Sequence, residues 1–283
     1  MSNTFTPPIL AAGLATPGER GGGIVSTTAD VTTVERWFGD RVGQRVVAEF
    51  VATFALIFIG AGTGVILGRF GPTGLIGIAL AHGLVLAIMV SVIAHISGGH
   101  VNPAVTIAAW VTNQIRTGLA AVYIAAQLAG AIAGAYLLRA ALPEELWRPS
   151  NLGAPFVQSG ITNGKAVLLE AVLTFFLVFA VYGTAIDERG PFSKTAGLTI
   201  GLVLTFDILM GGALTGAAMN PARALGPEVG SGTYTAWWVY WIGPISGGVV
   251  AAFVYWFAFL EGREKLARAP KTEQPIGGGP EGD

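Results

Sequence analysis

Apolar residues fill this chain in six long blocks instead of alternating with polar ones. The blocks cover about 45–67, 74–96, 118–141, 165–186, 195–211 and 235–260. Each comes close to the roughly 20 residues a helix needs to cross a bilayer core, the fifth being the shortest. Two further apolar pieces, 103–113 and 221–229, are too short to cross. Each begins at Asn-Pro behind a glycine-rich approach. Asn is a favoured N-cap and Pro is pre-shaped for the first helical position, so both pieces predict short helices that start abruptly. Inside a bilayer, a helix start of that kind is tolerated only where it lines a wet cavity or is buried in protein. The pattern therefore predicts an all-α membrane protein: six transmembrane helices plus two re-entrant half-helices around a pore.

Residues 1–44 and 261–283 flank a domain at 45–260 and are rich in Pro, Gly and polar residues, which predicts disordered tails. Six crossings return both ends to one side. Placing them inside puts Arg20, Arg36, Arg41, Arg45, Arg116, Arg189, Lys194, Arg263, Lys265, Arg268 and Lys271 on the cytoplasmic face, against Arg69, Arg139, Arg148 and Lys165 outside. The chain is 52% hydrophobic and 12% charged with a net charge of −1, which gives no reason to expect nucleic acid. It has no cysteine, which rules out disulfides, thiolate metal sites and thiol nucleophiles. Three histidines without carboxylates at ligand spacing argue against a metal.

The two halves repeat. His82-Gly-Leu-Val-Leu matches Ile200-Gly-Leu-Val-Leu 118 positions later, the same offset that separates Asn102 from Asn220. Ala48-Glu49-Phe50 pairs with Leu169-Glu170-Ala171, and Tyr123 through Gly130 with Tyr240 through Gly247. Three spans per half is an odd number, so the second copy (165–260) enters the membrane inverted relative to the first (45–141). Inverted repeats place a functional site at their interface near the midplane.

Ser97-Gly-Gly-His-Val-Asn-Pro-Ala-Val-Thr106 and Gly216-Ala-Ala-Met-Asn-Pro-Ala-Arg223, with these spans between them, resemble the two signature loops of the major intrinsic protein family, the aquaporins. The resemblance implies two half-helices meeting at the bilayer centre, with Asn102-Pro103-Ala104 and Asn220-Pro221-Ala222 lining the pore. Asn102 and Asn220 would cap the helices with oxygen and keep their amide nitrogens free for passing water. It also implies a four-residue constriction on the outer side, with Arg223 as its constant member. Counting from the two Asn-Pro-Ala anchors puts His82, Ile208 and Ala217 at the other three places. That set is similar to those of plant tonoplast intrinsic proteins and animal ammonia-permeable aquaporins. It lacks the Phe/His pair of water-selective members and the aromatics of glycerol facilitators, and Ala224 stands where the latter have Asp.

The expected activity is passive flow of water, with ammonia or other small neutral solutes, through a homotetramer in the plasma membrane. No enzyme activity or cofactor is implied. Glu49 and Glu170 are expected to accept from re-entrant backbone, His100 to brace a loop and His95 to line the inner mouth. Gly60/Gly64, Gly130/Gly134 and Gly243/Gly247 are read as close-packing pairs, and Trp237, Trp238 and Trp241 as an interfacial belt. Asp207 is unusual for the family. The alternative within the class is a small-polyol facilitator. A secondary transporter would need a pore carboxylate, for which only Glu49 and Glu170 qualify. A junction protein would need long structured outer loops.

Overall fold

The computed structural model describes residues 41–187 and 189–260, so the predicted tails fall almost wholly outside the described residues. Among those residues all regular structure is helical. Six helices are long and apolar enough to cross a membrane: α1 (Val42–Phe70), α2 (Pro72–Ser97), α4 (Thr117–Ala141), α6 (Asn163–Ile186), α7 (Ser193–Thr215) and α9 (Val239–Leu260). The two short pieces are α3 (Pro103–Val111) and α8 (Pro221–Ser231), and a single turn, α5 (Glu144–Trp147), sits in the connection from α4 to α6.

Two boundaries differ most from expectation. The fifth span is expected to end at 211, yet α7 runs on to Thr215. Gly211 is there for packing, since a Cβ on it would lie 2.5 Å from Leu173 of α6. The real stop is Gly216, whose φ of 81° gives the left-handed turn that ends a helix. Residues 235–238 form turns, so α9 starts at Val239 instead of at 235.

Lipid gives helices no hydrophobic drive to associate, so close backbone packing takes over. A Cβ on Gly83 of α2 would lie 2.5 Å from the Gly201 carbonyl oxygen of α7. Gly130 and Gly134 press on backbone of α1, and Gly243 and Gly247 on that of α6, as the repeat demands. Gly60 and Gly64 depart from this pattern. Gly60 meets the His82 side chain of α2 instead of helix backbone, and Gly64 lies beside Gly153 of the connection from α4 to α6, so neither brings two helix backbones together. Within α1, Leu56–Ala61 winds as π-helix, a rare geometry often found at functional sites. Trp237 and Trp238 are exposed at the approach to α9.

Candidate functional site

The site is built on the chain between α2 and α3 and its counterpart between α7 and α8. Gly98 and Gly99 turn the first at φ of 91° and 67°. Beyond the glycines the backbone stays in the left-handed region at Val101 (54°) in one loop and at Ala217 (42°) and Met219 (52°) in the other. For a β-branched residue such as Val this is an outlier, and each such residue costs about 1–3 kcal/mol unless its surroundings hold it.

Two fully buried carboxylates hold them. Glu49 Oε1 accepts from Ser97 Oγ at 2.7 Å and the His100 N–H at 3.0 Å. Its Oε2 accepts from the Val101 N–H at 2.7 Å and Gln127 Nε2 at 2.8 Å. Glu170 repeats the arrangement, accepting from Thr215 Oγ1 at 2.7 Å, the Ala218 N–H at 3.0 Å and the Met219 N–H at 2.7 Å. Tyr123 donates to the Ser97 carbonyl at 2.8 Å and Tyr240 to the Thr215 carbonyl at 3.0 Å, which fastens the loop ends in the same twofold manner. His100 pairs its Nδ1 with Thr106 Oγ1 at 3.1 Å and sits edge-on to Tyr123.

Each loop delivers an asparagine to a half-helix start. Asn102 Oδ1 accepts from the Ala104 N–H at 2.8 Å, and Asn220 Oδ1 from those of Ala222 at 2.9 Å and Arg223 at 3.3 Å. The amide nitrogens differ from expectation. Asn102 Nδ2 donates to the Met219 carbonyl at 2.8 Å, and Asn220 Nδ2 to the Val101 carbonyl at 2.9 Å. One hydrogen of each amide is thus committed across the repeat interface. The second remains for another acceptor, because a primary amide carries two.

Three cavities follow one another along the repeat interface. An outer vestibule of about 540 Å³ is lined by Arg69, Glu145, Phe156, Ile208 and Arg223 among others. An inner one of about 250 Å³ is lined by Gly98, His100, Gln114 and Ile200. Between them runs a neck with only about 20 Å³ open to the centre of a water-sized sphere, about one water's worth. The neck shares Ile208 and Arg223 with the outer space and His100 and Ile200 with the inner. Asn102, Asn220, His82, Ile208, Ala217 and Arg223 all line it, with Leu86, Val90, Leu177 and Leu204 as apolar wall.

Arg223 is nearly buried and donates through Nη1 to the Gly153 carbonyl at 3.0 Å. His82 engages the Ile78 carbonyl through Nδ1 at 2.9 Å. A carbonyl can only accept, so Nδ1 carries the hydrogen and Nε2 of the neutral ring is an acceptor. Nε2 has no partner within the protein. The neck therefore offers one fixed acceptor and one fixed cation, with the apolar Ile208 and Ala217 also in its wall.

Sequence reasoning misplaced or missed several groups. His95 is exposed near the end of α2 and is not among the residues that line the inner cavity. The α2 residues on the neck are His82, Leu86 and Val90, four apart, and His95 falls five after Val90, off that stripe. Gly153 went unnoticed because it acts through its carbonyl. Gln127, a lone amide mid-span, was a readable signal. Asp207 is 1% exposed with neither carboxylate oxygen hydrogen-bonded.

Comparison with known proteins places this arrangement. The family model for major intrinsic proteins matches residues 39–255. The chain belongs to that family. It is thus an integral, multi-pass membrane protein of a channel class. It is 43% identical over 236 residues to Aquaporin TIP1-2 of Zea mays, spanning 81% of this chain and 91% of that one. It is 42% identical over 229 residues to Probable aquaporin TIP3-2 of Arabidopsis thaliana, spanning 77% and 84%. The aquaglyceroporin from Plasmodium falciparum superposes with a TM-score of 0.69 at 25% identity, covering 80% of this chain and 99% of that one. The plant relatives are of the tonoplast type, so they lend no support to a plasma-membrane host.

Proposed function

We propose that this protein conducts water in single file, together with ammonia and other small neutral solutes, past Asn102 and Asn220. The observation that carries this reading is the succession of two vestibules and, between them, a narrow neck that shares lining residues with each and that both asparagines line. At the neck the two half-helix starts aim unpaired N–H groups inward, each equivalent to roughly half a positive charge. That field opposes cations and protons, and the remaining amide hydrogens orient each water as it passes. His82, Ile208, Ala217 and Arg223 form the outer constriction. Ile208 contributes no polar atom and Ala217 little bulk, leaving room for ammonia, which donates to His82 Nε2 as water does. A polyol would need a row of partners that Ile208 and Leu204 do not provide.

Glu49, Glu170 and His100 hold the loops and move no proton, since their donors are backbone and neighbouring side chains instead of pore water. Both ends lie on the face that collects the Lys and Arg residues, and four copies assemble, each with its own pore. Mass measurement of the detergent-solubilised assembly checks the last point. The conduction reading is tested by stopped-flow light scattering on proteoliposomes, challenged in turn with sucrose, glycerol and an ammonium salt. Water should flow several-fold faster than through bare lipid with a low activation energy, ammonia should enter and glycerol should not. Shrinkage at the bare-lipid rate with verified insertion sinks the reading.

A further inference from the structure

We propose that Gly60, in the π-helical turn of α1, is a specificity-determining residue of the pore, because its missing side chain is the seat of the His82 ring. This rests on the reading of His82 as part of the constriction. Leu56 lines the neck and Gly64 the outer vestibule, so Gly60 between them lies on the lumen-facing strip of α1. A Cβ at Gly60 would stand 2.6 Å from His82 Cδ2, 2.7 Å from Nε2 and 3.0 Å from Cγ. Those separations are well inside van der Waals contact, and they cover the whole inner edge of the ring. That edge of the ring thus rests against α1 at Gly60, in space that any other residue would fill. Its opposite edge is tied to the Ile78 carbonyl.

With one edge tied and the seat filled, the ring can turn only toward the neck. The neck has room for about one water, so even a small turn narrows it. The π-helical winding sets this register, since the wider turn over Leu56–Ala61 brings Gly60 beneath the ring while Leu56 still faces the lumen. The width of the opening at His82 is therefore set jointly by two helices. Residue 60 is the position where a single methyl group moves the wall.

The test is a double-substitution cycle in proteoliposomes, reading water flux by light scattering and ammonia flux by internal alkalinisation. G60A should lower ammonia flux about ten-fold, the change that about 1.4 kcal/mol of added barrier produces, with a smaller loss of water flux. H82A removes the ring, so G60A in the H82A background should change neither flux. The proposal is overturned if G60A acts equally in both backgrounds, which would mean disturbed helix packing, or if G60A leaves both fluxes unchanged while H82A alters them. Should H82A itself leave both fluxes unchanged, the constriction lies elsewhere and the filter reading falls, taking this proposal with it. Folding offers a further decision. G60A that fails to fold but is rescued by H82A supports the ring contact, and failure of both single and double variants refutes it.

Discussion

Glu49→Gln isolates the energy that keeps the pore loops in place. The change preserves shape and replaces one acceptor oxygen with an NH₂ group. If the amide takes the Oε1 place, it faces the His100 N–H; if it takes Oε2, it faces the Val101 N–H and Gln127 Nε2. Either way at least one backbone donor meets another donor at a position with no exposure to water. Losing one hydrogen bond to a charged acceptor costs about 1.5–3 kcal/mol, and the buried N–H left behind costs about 1–3 more. The expected loss is about 2.5–6 kcal/mol, and Val101 no longer has full support for its left-handed backbone. At about 2–4 °C per kcal/mol for a domain of this size, the midpoint of thermal unfolding in detergent should drop by roughly 5–24 °C. Water permeability per inserted channel should fall with it. The assay is a melt followed by intrinsic tryptophan fluorescence, paired with stopped-flow shrinkage. A midpoint within two or so degrees of the parent (about the ~0.5 kcal/mol expected of a neutral surface change) and unchanged flux would refute the reasoning. The carboxylate would then be a bystander.

Arg223→Val should open a leak to protons and small cations while sparing water, because a fixed charge about 4 Å from a passing cation repels it by about 4 kcal/mol at a moderate effective dielectric constant, about three orders of magnitude in rate; a pH-dye assay in proteoliposomes reads it, and an unchanged proton leak removes Arg223 from the barrier. His82→Phe with Ile208→His adds bulk and a donor opposite Arg223, so ammonia flux should fall far more than water flux; equal scaling would place the constriction elsewhere. Asp207→Asn should raise the melting midpoint, since it replaces a buried carboxylate whose two oxygens have no hydrogen-bond partner; a lowered midpoint would mean that Asp207 has a partner. Beyond the end of α6, the hydrogen bonds from Arg189 hold the Asp187 carboxyl down at about 2, and Tyr255 adds a bond at 3.1 Å. A depressed acid stabilises the fold above its ordinary value and loses that contribution as pH falls through the folded one, so between about pH 4 and 2 the parent should lose stability that Asp187→Asn does not lose.

What could be read in advance follows from what is local. Span length and the Asn-Pro helix start are properties of contiguous residues, so six crossings and two half-helices were legible, and α3 and α8 begin at Pro103 and Pro221 as capping chemistry requires. Glu49 and Glu170 were legible as lone carboxylates in apolar spans, since a bilayer leaves such a group few fates. The groups acting through backbone were not legible. The Gly153 carbonyl that receives Arg223 has no side-chain signature, and it sits in a connection whose left-handed Asn151 and Leu152 no turn motif announces. Gly60 read as a backbone-packing glycine, and hydrophobic spacing encodes neither the His82 ring above it nor the π-helical turn in which it sits.

The pattern at the centre of the pore joins these legible and illegible parts. Glu49 holds the Val101 N–H, and the Val101 carbonyl receives the amide of Asn220 from the other half. Glu170 holds the Met219 N–H, and the Met219 carbonyl receives the amide of Asn102. Each carboxylate therefore positions the asparagine that the opposite repeat contributes. The left-handed backbone at Val101 and Met219 is what turns one residue's N–H toward a carboxylate and its carbonyl toward the partner asparagine. A duplicated, inverted half could not fix its own asparagine in this way, because the acceptor it needs belongs to the other copy. The two repeats thus stabilise one pair of asparagines at their interface, and neither half fixes that pair alone.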